Sequence, residues 1–182
     1  MRSRLAVLAA TAAVLLTASP AAAENPVLDA EGDADLAAAL AEATEVQGVC
    51  YGYDLSVEDG DTGQYAGRYA ASSLGPETVP ELGPDCPEGV VLLVAGIRYT
   101  SELSDEEDSA GWRLDSTLTQ LDIGQVEELG LSSGDLLDDE RSETALLNAV
   151  LSLPGLATER AGLRIGSRFI RHTMQMSDLA QG

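Results

Sequence analysis

The chain holds 182 residues, with 31 acidic against 10 basic side chains and a formal net charge of −21. Surfaces that bind nucleic acid or anionic lipid need lysine or arginine to neutralise phosphate, so this balance argues against both classes of partner. One histidine, His172, and two cysteines are too few for a zinc or other transition-metal centre, and no cofactor motif is present.

Residues 1–23 read as a secretory signal peptide. Arg2 and Arg4 form a positive start, residues 5–16 form a twelve-residue apolar run, and Ala21-Ala22-Ala23 closes an A-x-A cleavage pattern after Pro20. The apolar run is too short to cross a bilayer core of about 30 Å as a helix. Cleavage near Ala23 leaves 159 of the 182 residues, enough for one domain with a core. It moves the formal charge to −23, since two of the ten basic residues leave and every acidic one stays. All basic residues are arginine, which together with abundant alanine and glycine fits a GC-rich bacterial source. The expected product is a secreted, extracellular protein with no stable membrane insertion.

The charge is unevenly spread. Residues 24–159 carry 30 acidic side chains against four arginines, whereas residues 160–182 carry four arginines against Asp178. The chain therefore divides into an acidic domain, 24–159, and a basic C-terminal segment, 160–182, expected to pack on that domain or to remain partly disordered.

In chain order, Asp33 is positioned as an N-cap for a helix over 36–46, where Leu36, Leu40 and Ala43 recur at helical spacing and Gly48 stops the run. Residues 48–58 alternate strictly. Val49, Tyr51, Tyr53, Leu55 and Val57 fall on one side and Cys50, Gly52, Asp54, Ser56 and Glu58 on the other, the pattern of a half-buried strand. A turn at 58–63 returns the chain into a second strand at 64–70, with Tyr65, Gly67 and Tyr69 on one face. Residues 72–88, with four of the seven prolines, form a long loop ending near Cys86. In an exported chain with two cysteines, Cys50–Cys86 is the one intramolecular bridge available, and closing a loop of about 35 residues contributes about 3–4 kcal/mol in the chain-entropy account.

Residues 90–100 begin as a continuous apolar run and read as the central strand, covered on both faces. An acidic loop at 101–109 and a short strand at 111–117 follow. Beyond them, 123–131, 135–140 and 144–153 have helical spacing, with Ser142 as a cap and Pro154-Gly155 as a stop. Residues 162–170 alternate Leu163, Ile165 and Phe169 with Arg164 and Arg168 and lean towards strand. The fold class is therefore α+β: a small antiparallel sheet in a β-rich N-terminal half stapled by one disulfide, packed with helices of the C-terminal half.

Three chemistries compete for function. Gly130-Leu131-Ser132-Ser133-Gly134 matches G-x-S-x-G and, with His172 downstream, offers a nucleophile and base. That motif works only where the serine tops a sharp strand-to-helix turn, and residues 125–129 read as helix instead. Asp59, Asp61 and the acids of 101–109 offer oxygen ligands for calcium, but the segment from Asp59 has Gly63 and Gln64 at the fifth and sixth positions of an EF-hand loop and Ala70 at the twelfth. Paired carboxylates could serve a hydrolase, though spacing selects no pair. No catalytic or metal-binding residue is assigned on these grounds. The expected function is a binding or interaction module at or beyond the cell surface, for an extracellular protein or an envelope polymer, with Tyr51, Tyr53, Tyr65 and Tyr69 as its surface. A small secreted hydrolase using carboxylates or Ser132 and His172 is the first alternative. A calcium-dependent structural envelope protein is the second.

Overall fold

The computed structural model describes residues 25–163. The signal-peptide reading of 1–23, His172, and most of the strand expected at 162–170 with its basic continuation lie outside the described residues.

Helix α1 (Ala30–Gln47) leads into strand β1 (Val49–Asp59) through Gly48, which has φ 70° and donates its N–H to the Thr44 carbonyl. The left-handed cap suits glycine, and a Cβ there would come within 2.7 Å of the Glu88 side chain. Strands β2 (Gln64–Ser72), β3 (Gly75–Pro76), β4 (Gly89–Tyr99) and β5 (Ser109–Ser116) complete one sheet in the order β3-β2-β1-β4-β5. Helix α2 (Ile123–Glu127), a 3₁₀ turn at Ser133–Leu137 and helix α3 (Ser142–Ala161) follow. The β-rich first half, the helices of the second half and the single disulfide make this the α+β fold expected.

The sheet is mixed. All neighbouring pairs are antiparallel except β1 and β4, which run parallel over their whole length from Val49↔Gly89 to Asp59↔Tyr99. The hairpin β1–β2 returns the chain to the start of β1. The segment after β3 then crosses the end of β1 to begin β4 on its other side, giving β4 the direction of β1. That crossing is where the cystine sits: Cys50 and Cys86 are bonded with Cα atoms 5.3 Å apart, and Glu88 N–H donates to the Gly48 carbonyl at 3.0 Å.

One face of the sheet is covered by helices. Tyr51, Tyr53 and Leu55 of β1, Val91 and Leu93 of β4 and Ala71 of β2 are fully buried there, against Leu36 and Leu40 of α1 and Leu146, Val150 and Leu153 of α3. The opposite face carries Asp54, Ser56, Glu58, Arg68 and Arg113, and no described helix covers it.

Several boundaries differ from those expected. Helix α1 starts a turn earlier, because Asp29 rather than Asp33 caps it by accepting the Gly32 N–H at 2.7 Å. Pro154 does not end α3. Leu153, Leu156 and Ala157 remain buried on both sides of it, and its carbonyl accepts bonds from Gln47 Nε2 (3.2 Å) and Thr158 Oγ1 (2.9 Å). Tertiary burial here outweighs the helix-breaking tendency of proline. Ser142 is the first helical residue rather than the cap, and the helix expected at 135–140 is the shorter 3₁₀ turn.

Candidate functional site

The four tyrosines do not form one exposed aromatic surface. Tyr51 and Tyr53 are fully buried under the helices, as the packing face of β1. Tyr69 is half-buried against the same core. Tyr65 is 66% exposed, and a register shift places it elsewhere. Val57 pairs with Gly67 but Glu58 pairs with Tyr65, so Ala66 is an extra residue in β2. One bulged residue reverses the alternation, moving Tyr65 to the open face beside Glu58 while Gly67 and Tyr69 stay on the core side.

Below Tyr69 the chain forms a cleft of about 880 Å³. Its walls are Asn25 and the first turn of α1 on one side and residues 67–70 of β2 on the other, with Glu77 and Val79 beyond. Gly67 belongs to this floor because the Tyr69 phenol lies over it. A Cβ at that position would meet the phenol oxygen at 2.6 Å.

Four carboxylates line the cleft: Asp29, Glu31, Asp33 and Glu77. Moving the helix cap to Asp29 puts Asp33 within the first turn, from which it reaches inward rather than back along its own backbone. Its carboxylate accepts the phenolic hydrogen of Tyr53 and, at 3.5 Å, an amide hydrogen of Asn25. Asn25 also donates to the Tyr53 oxygen at 2.8 Å, while its own carbonyl accepts the Val27 N–H at 3.0 Å. Burial raises the pKa of Asp33; the hydrogen bonds from Tyr53 and Asn25 act in the opposite sense, and the charges of Asp29 and Glu77 add to the rise. Burial first, and then Asp33, raises that of Tyr53. A closed polar network thus forms where the lead-in, α1 and β1 meet.

Arg68 lines the same cleft but is committed to the open face. Its Nε and Nη2 each lie 2.7 Å from an Asp54 carboxylate oxygen. Among the described residues, no ion pair reaches Asp29, Glu31, Asp33 or Glu77. The cleft therefore presents net negative charge beside an apolar floor, a combination suited to a cationic group carried on an apolar stem.

The other candidates have structural roles. Ser132 lies between α2 and the 3₁₀ turn, caps that turn by accepting the Gly134 N–H at 3.2 Å, and follows no strand. Asp59 accepts the N–H groups of Asp61 and Thr62, each at 3.0 Å, within the β1–β2 turn. Asp61 accepts the Ser101 N–H at 3.0 Å, and Asp108 accepts the Thr100 N–H at 2.7 Å. These carboxylates tie turns together, and among the described residues no group of three or more His, Cys, Asp or Glu is placed to hold a metal ion. A second hollow of about 330 Å³ on the open face, over Ser56, Gly96 and Gly111, is smaller and shallower.

The sequence reading missed Asp33 as a site residue because capping is the commoner use of an aspartate at that position. The one available signal was Asp29, four residues earlier and equally able to cap. No family model, curated protein or solved structure matches the chain.

Proposed function

We propose that the chain is a secreted binding module working at or beyond the cell surface, and that the cleft between α1 and β2 is its recognition site for a cationic group of an extracellular protein. The observation that carries this reading is the set of four carboxylates around a cleft with no described cation paired to them. The buried cystine suits an oxidising compartment, and no described helix is long and apolar enough to cross a membrane. The test is affinity capture from envelope and culture-supernatant fractions, using protein purified from an exporting host. The same bait with Asp29→Asn, Glu31→Gln and Glu77→Gln keeps a capping side chain at residue 29 while removing three charges. A partner retained by the native chain, eluted by salt and lost with the triple variant supports the reading. Equal retention by both baits overturns it.

A second reading has one observation in its favour. Asp33, with its pKa raised in a cleft, has the character of a general acid, as in a carboxylate hydrolase. Its hydrogen bonds to Tyr53 and Asn25 occupy the carboxylate and weigh against that use. Hydrolysis of a polymer substrate that is lost in Asp33→Asn without loss of folding would reverse the order of the two readings.

A further inference from the structure

We propose that the cleft takes its partner as an extended segment that adds as a strand along the outer edge of β2, with basic side chains at alternate positions entering the acidic cleft. This rests on the cleft being the recognition site and adds the form of the ligand.

The edge is open where the cleft lies. β3 covers only Ala71 and Ser72, and the last bond along that side is from the Glu77 N–H to the Ala70 carbonyl at 2.7 Å. Glu77 alone among the described non-glycine residues has a left-handed φ, 57°, and the ladder ends there. From Gln64 to Tyr69 no described strand lies alongside the outer edge, and at Ala70 the N–H remains while the carbonyl is held by Glu77.

The direction of the backbone groups follows from the ladder. Ser73 N–H donates to the Tyr51 carbonyl at 2.9 Å, which makes Tyr53↔Ala71, Leu55↔Tyr69 and Val57↔Gly67 the pairs bonded across β1–β2. Arg68 and Ala70 alternate with them and direct their N–H and C=O groups outward, as the Ala70 bond from Glu77 demonstrates. Arg68 would ordinarily shield such an edge with its charge, but Asp54 holds its guanidinium over the open face.

A strand laid on this edge has side chains alternating between the two faces of the sheet. Those level with Gly67 and Tyr69 enter the cleft, with the Tyr69 ring beneath their stems and Asp29, Glu31 and Glu77 around their ends. The others project beside Arg68, whose charge is already matched by Asp54, so that side offers basic residues no gain comparable to the cleft. The partner segment thus carries Lys or Arg at every second residue and neutral residues between, and main-chain bonding supplies the rest of its affinity.

The probe is a capped peptide of about six residues alternating Lys and Val, long enough to span 67–70 at about 3.3 Å per residue. Two versions are N-methylated on one or the other alternate set of residues. Binding is read by titration, together with amide exchange at Arg68 and Ala70 in the uniformly labelled chain. Those amides are expected to exchange freely without peptide and to be protected with it. One methylated version is expected to bind several-fold to about tenfold more weakly per methyl and the other to match the parent. If both methylated versions bind like the parent, strand addition is wrong while the cationic cleft stands. If the parent binds no better than a Glu/Val peptide, the cationic cleft itself is wrong. If Arg68 and Ala70 are already protected in the free chain, another part of this chain or a second copy occupies the edge, and the proposal falls.

Discussion

The two faces of β1 have opposite fates within eleven residues. Val49, Tyr51, Tyr53 and Leu55 are wholly buried beneath α1 and α3, while Asp54, Ser56 and Glu58 stay partly exposed on a face without helices. On the covered face cohesion comes from apolar area and two satisfied phenols. On the open face it comes from a single cystine at one end and an Asp54–Arg68 ion pair near the middle. Burial stabilises each large side chain by about 1.5–3 kcal/mol, whereas a solvent-exposed ion pair contributes about 0–1 kcal/mol. Apart from the cystine at one end, stability should therefore reside on the helix side, leaving the rest of the open side and the β2 edge free to serve recognition.

Substitutions on the two faces sharpen this contrast. Leu93→Ala, at a fully buried position of β4, should lower unfolding stability by about 2–5 kcal/mol in urea titrations. Converting both Cys50 and Cys86 to serine should cost about 2–5 kcal/mol, and reduction of the native chain should reproduce that loss. Tyr53→Phe keeps the ring but strips Asp33 and Asn25 of their shared partner, an expected loss of about 1–3 kcal/mol. Arg68→Ala should change stability by no more than about 1 kcal/mol, since its side chain is 57% exposed. If Arg68→Ala proved as damaging as Leu93→Ala, the division of labour between the faces would be wrong.

Titration distinguishes the faces by pH. Burial raises the pKa of both Tyr51 and Tyr53, so the folded chain keeps two protons that the unfolded chain releases above its ordinary tyrosine value of 10.0. Their contribution is complete below that pH and is lost as pH rises beyond it, so thermal stability should fall on the alkaline side. Replacing both tyrosines by phenylalanine should flatten that limb relative to its neutral value. Asp33 follows the same sign lower on the scale. Its raised pKa gives a contribution present below about pH 4 and lost as pH rises through the folded value, so Asp33→Asn should gain on the native chain between acid and neutral pH.

Much of this arrangement was legible in the residues. Strict alternation marked β1, and two cysteines in a chain read as exported allowed one bridge. The apolar run Val90–Ile97 marked β4 as an interior strand but not as the centre, which β1 holds. Nor is β4 covered on both faces, since Val94 and Gly96 lie partly exposed on the side without helices. The tyrosines show where such reading stops. Tyr65 and Tyr69 are four residues apart and share a face in any regular strand, yet Ala66 bulges and separates them. A bulge is set by how two strands meet, and composition along one of them does not carry it.

What the sequence determined by itself is the local grammar: an α+β division, the period of β1, the turn at 58–63 and the identity of the cystine. These depend on neighbours a few residues apart, where alternation, turn chemistry and cysteine count act directly. Only the tertiary structure decided that β1 and β4 run parallel, that α3 continues through Pro154, that Asp29 takes the cap and that Asp33 turns inward to Tyr53. Each of these is a choice between locally similar alternatives, settled by apolar burial and hydrogen-bond satisfaction between segments distant in sequence. The cleft is built entirely from such choices, bringing Asn25, α1 and the outer edge of β2 together at one place.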